Sequence, residues 1–283
     1  MIRSFLFVFV LFWSALSRAA ERPNIVWVLV DDMSADFSCY GGTTIKTPHV
    51  DALAAEGTRF TRAFVTAPIC SISRSALITG RYQTSIGCQN HRSGSAKFPI
   101  TLGADTPVVP QLVKTAGYHV SNLSLESFLS MVKDQQTGIA KTDYNFVWDR
   151  PATFDTIHWS ARKDGQPFFV QIQLIGGKHR GQAPGPKWPQ KVLDTLGSTT
   201  PENAVKLPPY LPNDPVILAD WAQYLDAVRY TDWEVGRIVQ RLRDAGELDR
   251  TVIILKFIPA TSPMNVLKAA RTPASESAKT TLT

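Results

Sequence analysis

Asn24-Ile25-Val26-Trp27-Val28-Leu29-Val30 runs directly into Asp31-Asp32. After Asn24 the run is wholly apolar and rich in β-branched side chains, with no alternation of polar and apolar positions. That pattern reads as a strand buried on both faces, as in a parallel sheet covered by helices. Ligands of such sheets bind beyond the carboxyl ends of the strands, which is where the two carboxylates fall. Neighbouring carboxylates repel, so a buried pair calls for a cation or for basic partners. Donors that are all oxygen suit Ca2+, or Mg2+, better than zinc. The competing reading of Asp31-Asp32 is a cap on the following loop or helix.

Outward from this strand, Thr47-Pro48 opens a helix through Ala55 with Gly57 just past its end. Arg59 to Val65 alternates like a short strand. In Cys70-Ser71-Ile72-Ser73-Arg74 and beyond, Ser71 to Thr79 reads as a helix ended by Gly80. Cys70 thus sits at a helix N-terminus, where free amides and the helix dipole favour a thiolate or a bound anion. Pro107 to Thr115 reads as a helix and Tyr118 to Leu123 as a strand, while Ser124 to Thr142 is less regular. Pro167 to Ile175 is a further buried strand, and residues 181–215, rich in Pro and Gly, read as a long loop. From Val216 to Ala245 the apolar residues Ile217, Trp221, Leu225, Val228, Val235, Ile238 and Leu242 fall at helical spacing, with Gly246 beyond. Thr251 to Ile258 returns as a strand. The alternation predicts an α/β fold with a mostly parallel central sheet flanked by helices. Residues 259–283 hold few large apolar side chains and are expected to form a disordered tail.

The chain of 283 residues is 44% apolar and 19% charged, an ordinary globular composition. Arg3, the apolar stretch Phe5 to Leu16 and then Ser17-Arg18-Ala19 make residues 1–20 a signal peptide, cleaved after Ala19 or Ala20. Its apolar core is too short for a spanning helix, so the expected location is secreted or periplasmic, with a retained anchor as the other reading. The net charge of +6 suits an acidic ligand, yet no dense Lys/Arg block points to nucleic acid. Three cysteines make an odd count: Cys39 and Cys88 can pair, leaving Cys70 alone.

The segments IVWVLVDDM, TPHVDALAAEGTRFTRAFV and CSISRSALITGRYQTSIG resemble, in order and spacing, the opening of a secreted sulfatase. These are formylglycine-dependent members of the alkaline-phosphatase-like superfamily, and the resemblance runs from Arg22 to Leu255. It implies a sulfuric ester or N-sulfate hydrolase acting on a sulfated glycan or small molecule. Cys70 would be oxidised to formylglycine by the formylglycine-generating enzyme, Arg74 would stabilise it, and Asp31, Asp32 and the modified Cys70 would bind calcium. Less directly, the resemblance places His179 as a proton donor to the leaving oxygen, Lys141 as a sulfate contact and His91 in the pocket wall. The stretches AKTDYNF and DWAQYLDAVRYTDWEVGRI look most like heparan N-sulfatase-like glycan sulfatases.

The chain departs from the pattern in two places. Ile72 stands where proline is usual, two residues after the cysteine that the modifying enzyme reads. Further on, Lys256-Phe257-Ile258-Pro259 follows the last strand where the family has its second calcium segment, and neither Asp nor Glu occurs between Asp249 and Glu276. Residues 21–258 are therefore expected to be the N-terminal portion of a sulfatase catalytic domain, cut short, with a calcium site below its usual six to eight oxygens. Two other functions fit the same residues. One is a phosphate or phosphonate ester hydrolase of the same superfamily. The other is a non-catalytic binder of sulfated glycans using Arg74, Arg92 and Lys141.

Overall fold

The computed structural model describes residues 22–94, 97–131, 138–155, 158–181, 187–258 and 266–270. The expected signal peptide lies outside the described residues. Six strands form one sheet: β1 (Asn24–Asp31), β2 (Thr58–Phe60), β3 (His119–Ser124), β4 (Phe168–Leu174), β5 (Thr251–Ile258) and β6 (Val266–Ala270), in the order β2-β6-β5-β1-β4-β3. β5, β1, β4 and β3 are parallel, and β6 pairs antiparallel with both β5 and β2. The apolar run over residues 24–30 is thus a central strand, with Val26, Val28 and Val30 fully buried. The α/β architecture with a mostly parallel sheet is borne out.

Helices α1 (Pro48–Glu56), α2 (Cys70–Thr79), α3 (Val109–Thr115), α4 (Leu125–Leu129), α5 (Arg150–Thr153), α6 (Lys187–Leu196) and α7 (Pro215–Asp244) surround the sheet. α7 has 30 residues and lays Val228, Val235, Ile238 and Leu242 into the same core as Val26, Val28, Leu255 and Phe257. Asp214 caps it by accepting from the Val216 amide. A second small cluster of Ile78, Cys88, Val108 and Phe146 seats α2. Burying both faces of the parallel strands leaves their carboxyl ends as the place where polar side chains gather.

Several local expectations are corrected. The strand expected over Arg59–Val65 is confined to Thr58–Phe60, whose residues are exposed, so its alternation has no core to face. Residues 181–215 are not one long loop. Most of their Pro and Gly lie on either side of Lys187–Leu196, which is an amphipathic helix that buries Trp188 and Val192 one helical turn apart. The tail expected over 259–283 contains β6, because pairing satisfies backbone groups along the outer edge of β5; the rest of that tail lies outside the described residues. Thr47 does not cap α1 with its side chain but binds Ser38 and Asp51. Cys39 and Cys88 do not pair; all three cysteines are free.

Candidate active site

β1 ends at Asp31, and the chain turns there in a left-handed conformation at Asp32 (φ 47°), which aspartate tolerates better than most residues. The second wall is the 3-10 segment Gly176–Gly181, which follows β4. A Cβ on Gly176 would overlap the Asp31 carbonyl oxygen, and one on Gly177 the Asp32 carbonyl oxygen. Two glycines are what allow this segment to lie directly on the β1 terminus. The close approach sets Lys178 over the acidic pair, with Nζ 3.0 Å from Asp31 Oδ2 and 3.5 Å from Asp32 Oδ1.

Asp31 is the hub. It is 3% exposed, and its carboxylate takes Arg74 Nη2 at 2.6 Å and Lys141 Nζ at 2.6 Å in addition to Lys178. Burial works to raise this carboxyl, but the Arg74 and Lys141 cations outweigh it and hold it at about 2. Arg74 projects from α2, is 2% exposed and donates its other terminal nitrogen to Gln173 Oε1 at 2.6 Å. Gln173 in turn donates to Asn122, and Asn122 to the Ala140 carbonyl just before Lys141. One hydrogen-bond chain therefore ties β1, α2, β4, β3 and the Lys141 loop together.

Cys70 is the first residue of α2, which begins one residue before the expected Ser71. Its thiol is not the activated group that a helix N-terminus promises. Burial pushes the thiol up, and the Asp143 carboxylate that accepts from Sγ at 3.3 Å favours the protonated form, against the nearby Lys141 and Lys178. Asp143, itself in a left-handed conformation, is held below the usual carboxylate range. Burial opposes that, but the Cys70 donor and the Lys141 and Arg92 cations prevail. Arg92 Nε lies 3.5 Å from Asp143 Oδ1 and Lys141 Nζ 3.6 Å from Asp143 Oδ2. His91 is an exposed neighbour whose Nδ1 lies 2.8 Å from Ser71 Oγ, beside Cys70.

His179 is the residue the structure turns away. Its ring stacks on Trp188 at 4.7 Å and meets Tyr230 edge-on at 5.0 Å, and Nε2 is buried without a hydrogen-bond partner. Burial drives its pKa down to about 4, so it is neutral at neutral pH. A 3-10 turn advances about 120° per residue, so consecutive residues face different ways: Lys178 looks into the site and His179 into an aromatic box. Sequence reading chose the histidine for its chemistry and overlooked Lys178. The Gly176-Gly177 pair just before the lysine was the available signal.

Among the described residues, no three His, Cys, Asp or Glu side chains converge as a metal site. The donors that are present do not fit a calcium ion. Asp31 is committed to three cationic side chains, the glycines lie against the Asp31 and Asp32 carbonyls, and the β5 residue in register with Asp31 is the apolar Ile258. The hydrate of an aldehyde at position 70 does fit, because its hydroxyls are donors: Asp143 stands as an acceptor beside that side chain, and the ammonium of Lys141 pairs with Asp143.

The sulfatase family model matches residues 23–255. The chain belongs to the sulfatase family. Over 268 residues it is 29% identical to an ulvan-active sulfatase of Formosa agariphila, covering 83% of this chain and 43% of that protein. It is 26% identical over 266 residues to the human N-sulphoglucosamine sulphohydrolase, covering 84% of this chain and 50% of that protein. The chain thus spans about half the length of these relatives. The crystal structure of yidJ from Bacteroides fragilis superposes with a TM-score of 0.62 at 16% identity, over 90% of this chain and 70% of that one.

Proposed function

We propose that this sulfatase-family domain hydrolyses sulfate esters or N-sulfates of a sulfated glycan, after export through the leader in residues 1–20 and conversion of Cys70 to formylglycine. The observation that carries the proposal is Cys70 on the first turn of α2, bonded to Asp143 and bordered by Arg74, Lys141 and Lys178. When present, formylglycine supplies an oxygen nucleophile that a thiol cannot. Asp143 Oδ2, which accepts a hydrogen bond from Cys70 Sγ, would accept one from a hydroxyl of the hydrated residue and so orient it. Lys141, Lys178 and Arg92 hold positive charge where sulfuryl oxygens would gather charge in the transition state. Arg74 is committed to Asp31 and Gln173 and keeps that framework rigid. The names of the two relatives, one acting on ulvan and one on N-sulphoglucosamine, support a glycan substrate.

The test is mass spectrometry of the tryptic peptide covering residues 63–74 from exported protein, followed by turnover of an aryl sulfate and the matching aryl phosphate. Formylglycine with sulfate turnover is the expected result. Faster phosphate turnover would make the chain a phosphate or phosphonate ester hydrolase instead. A second reading, sulfated-glycan binding without turnover, is favoured by the raised thiol at Cys70 and by the four cationic side chains around it. Unmodified Cys70 together with retention on a sulfated polysaccharide would select that reading.

A further inference from the structure

The acidic pair at the end of β1 is matched by the chain's own cations. Three carboxylates, Asp31, Asp32 and Asp143, face four cationic side chains, Arg74, Arg92, Lys141 and Lys178. Lys178 alone among them bridges Asp31 and Asp32. Its side chain is 25% exposed, so it is partly withdrawn from water in a place where two neighbouring carboxylates would otherwise repel. It is also the cation delivered by the Gly176-Gly177 segment, which lies against the Asp31 and Asp32 carbonyls. The side chain of the register neighbour Ile258 adds no oxygen. A divalent ion needs six or more oxygens in Ca2+ geometry, or a strict octahedron for Mg2+, with water able to fill the positions that protein groups leave open; among the described residues neither shell can form while Lys178 sits on the pair.

We propose that Lys178 is a built-in cation that occupies the position between Asp31 and Asp32 where a divalent ion would bind, so that this half-site is charge-balanced without metal. The proposal is independent of the substrate and of the modification of Cys70. It concerns what neutralises Asp31 and Asp32.

Thermal unfolding of the full chain is measured in EDTA and then with CaCl2 or MgCl2 at millimolar concentration, for wild type, Lys178→Met and Lys178→Arg. Wild type is expected to keep its midpoint on adding either ion. Lys178→Met is expected to unfold at lower temperature in EDTA and to recover with the ion, a rise on the order of 5 °C at a hundredfold excess over Kd. Lys178→Arg retains a cation and is expected to behave as wild type. Asp32→Asn in the Lys178→Met background is expected to remove the acquired response. A wild type as cation-responsive as Lys178→Met would overturn the proposal, and so would a Lys178→Met that no divalent ion stabilises. Should Lys178→Met fail to fold in EDTA, its yield on refolding with and without CaCl2 gives the same reading: recovery only with the ion supports the proposal, and no recovery overturns it.

Discussion

Asp31 is a buried carboxylate surrounded by cations, and its stability effect has a definite sign. Its folded value of about 2 lies below the ordinary 3.8, so it contributes stability that is present above pH 3.8 and lost as pH falls towards 2. The shift corresponds to about 2 kcal/mol, and Asp31→Asn should flatten the acid limb of a urea-derived stability profile by that amount. Removing Arg74 is the harsher change, because it strips a buried charge of its first partner. Lys141 and Lys178 still face Asp31, so the expected cost of Arg74→Met is about 3 kcal/mol, at the low end for such deletions. In a double-mutant cycle with Asp31→Asn the two losses should fall well short of additive; strict additivity would mean that the pair does not act as a unit. His179 adds to the same acid sensitivity at higher pH. Depressed to about 4 from 6.5, it contributes stability present above pH 6.5 and lost on acidification towards 4. His179→Phe keeps the stack on Trp188 and should remove this part of the pH dependence, read from urea midpoints across that range.

At the scale of elements, the turn after β4 and the long helix α7 each carry one exposed weakness. Gly177→Ala puts a methyl into the Asp32 carbonyl, so the 3-10 segment must lift and take Lys178 with it. The expected loss is on the order of 3 kcal/mol, and a loss below 1 kcal/mol in chemical denaturation would show that the segment yields freely. In α7, Glu234 is buried with Oε2 unpartnered, and burial raises its carboxyl from 4.5 to about 8. A raised value means stability that is complete below pH 4.5 and lost as pH climbs through 8. Glu234→Gln should therefore stabilise at pH 8, on the order of 4 kcal/mol by the size of the shift, and do little at pH 4.5. The sheet and α7 were legible in the sequence because each is long and its hydrophobic period is unbroken from Asn24 to Val30 and from Ile217 to Leu242. The placing of Asp31, Cys70 and Arg74 at one site was legible too, since motif spacing carries it, whereas Lys141 came only through the looser resemblance. The choice of Lys178 over His179 was not, because a short turn has no periodicity from which to read direction. α6 was hidden for a related reason: prolines at 184, 186 and 189 weigh on composition, although the last lies in the first turn of a helix that tolerates it.

For the whole molecule, charge and its placement decide what the surface attracts. The chain has 30 Lys and Arg against 24 Asp and Glu, an excess modest enough that diffuse attraction to a polyanion should be weak and easily screened. The site at the carboxyl ends of the strands concentrates Arg92, Lys141 and Lys178 around one cysteine, and Arg92 is the most exposed of these in its ion pairs. Lys163 is also exposed but lies before β4, towards the opposite end of the sheet. If sulfated glycans are held at the site, reversal at Arg92 must weaken binding more than reversal at Lys163, though both change net charge equally. The expected effect of Arg92→Glu is roughly fivefold in Kd for a heparin oligosaccharide at low salt, the equivalent of about 1 kcal/mol, against little change for Lys163→Glu. The difference should shrink as salt rises past the point where the Debye length falls below the spacing between surface charges. Equal weakening by the two variants would show that net charge alone retains the glycan, and the cluster around Cys70 would then have no part in recognising it.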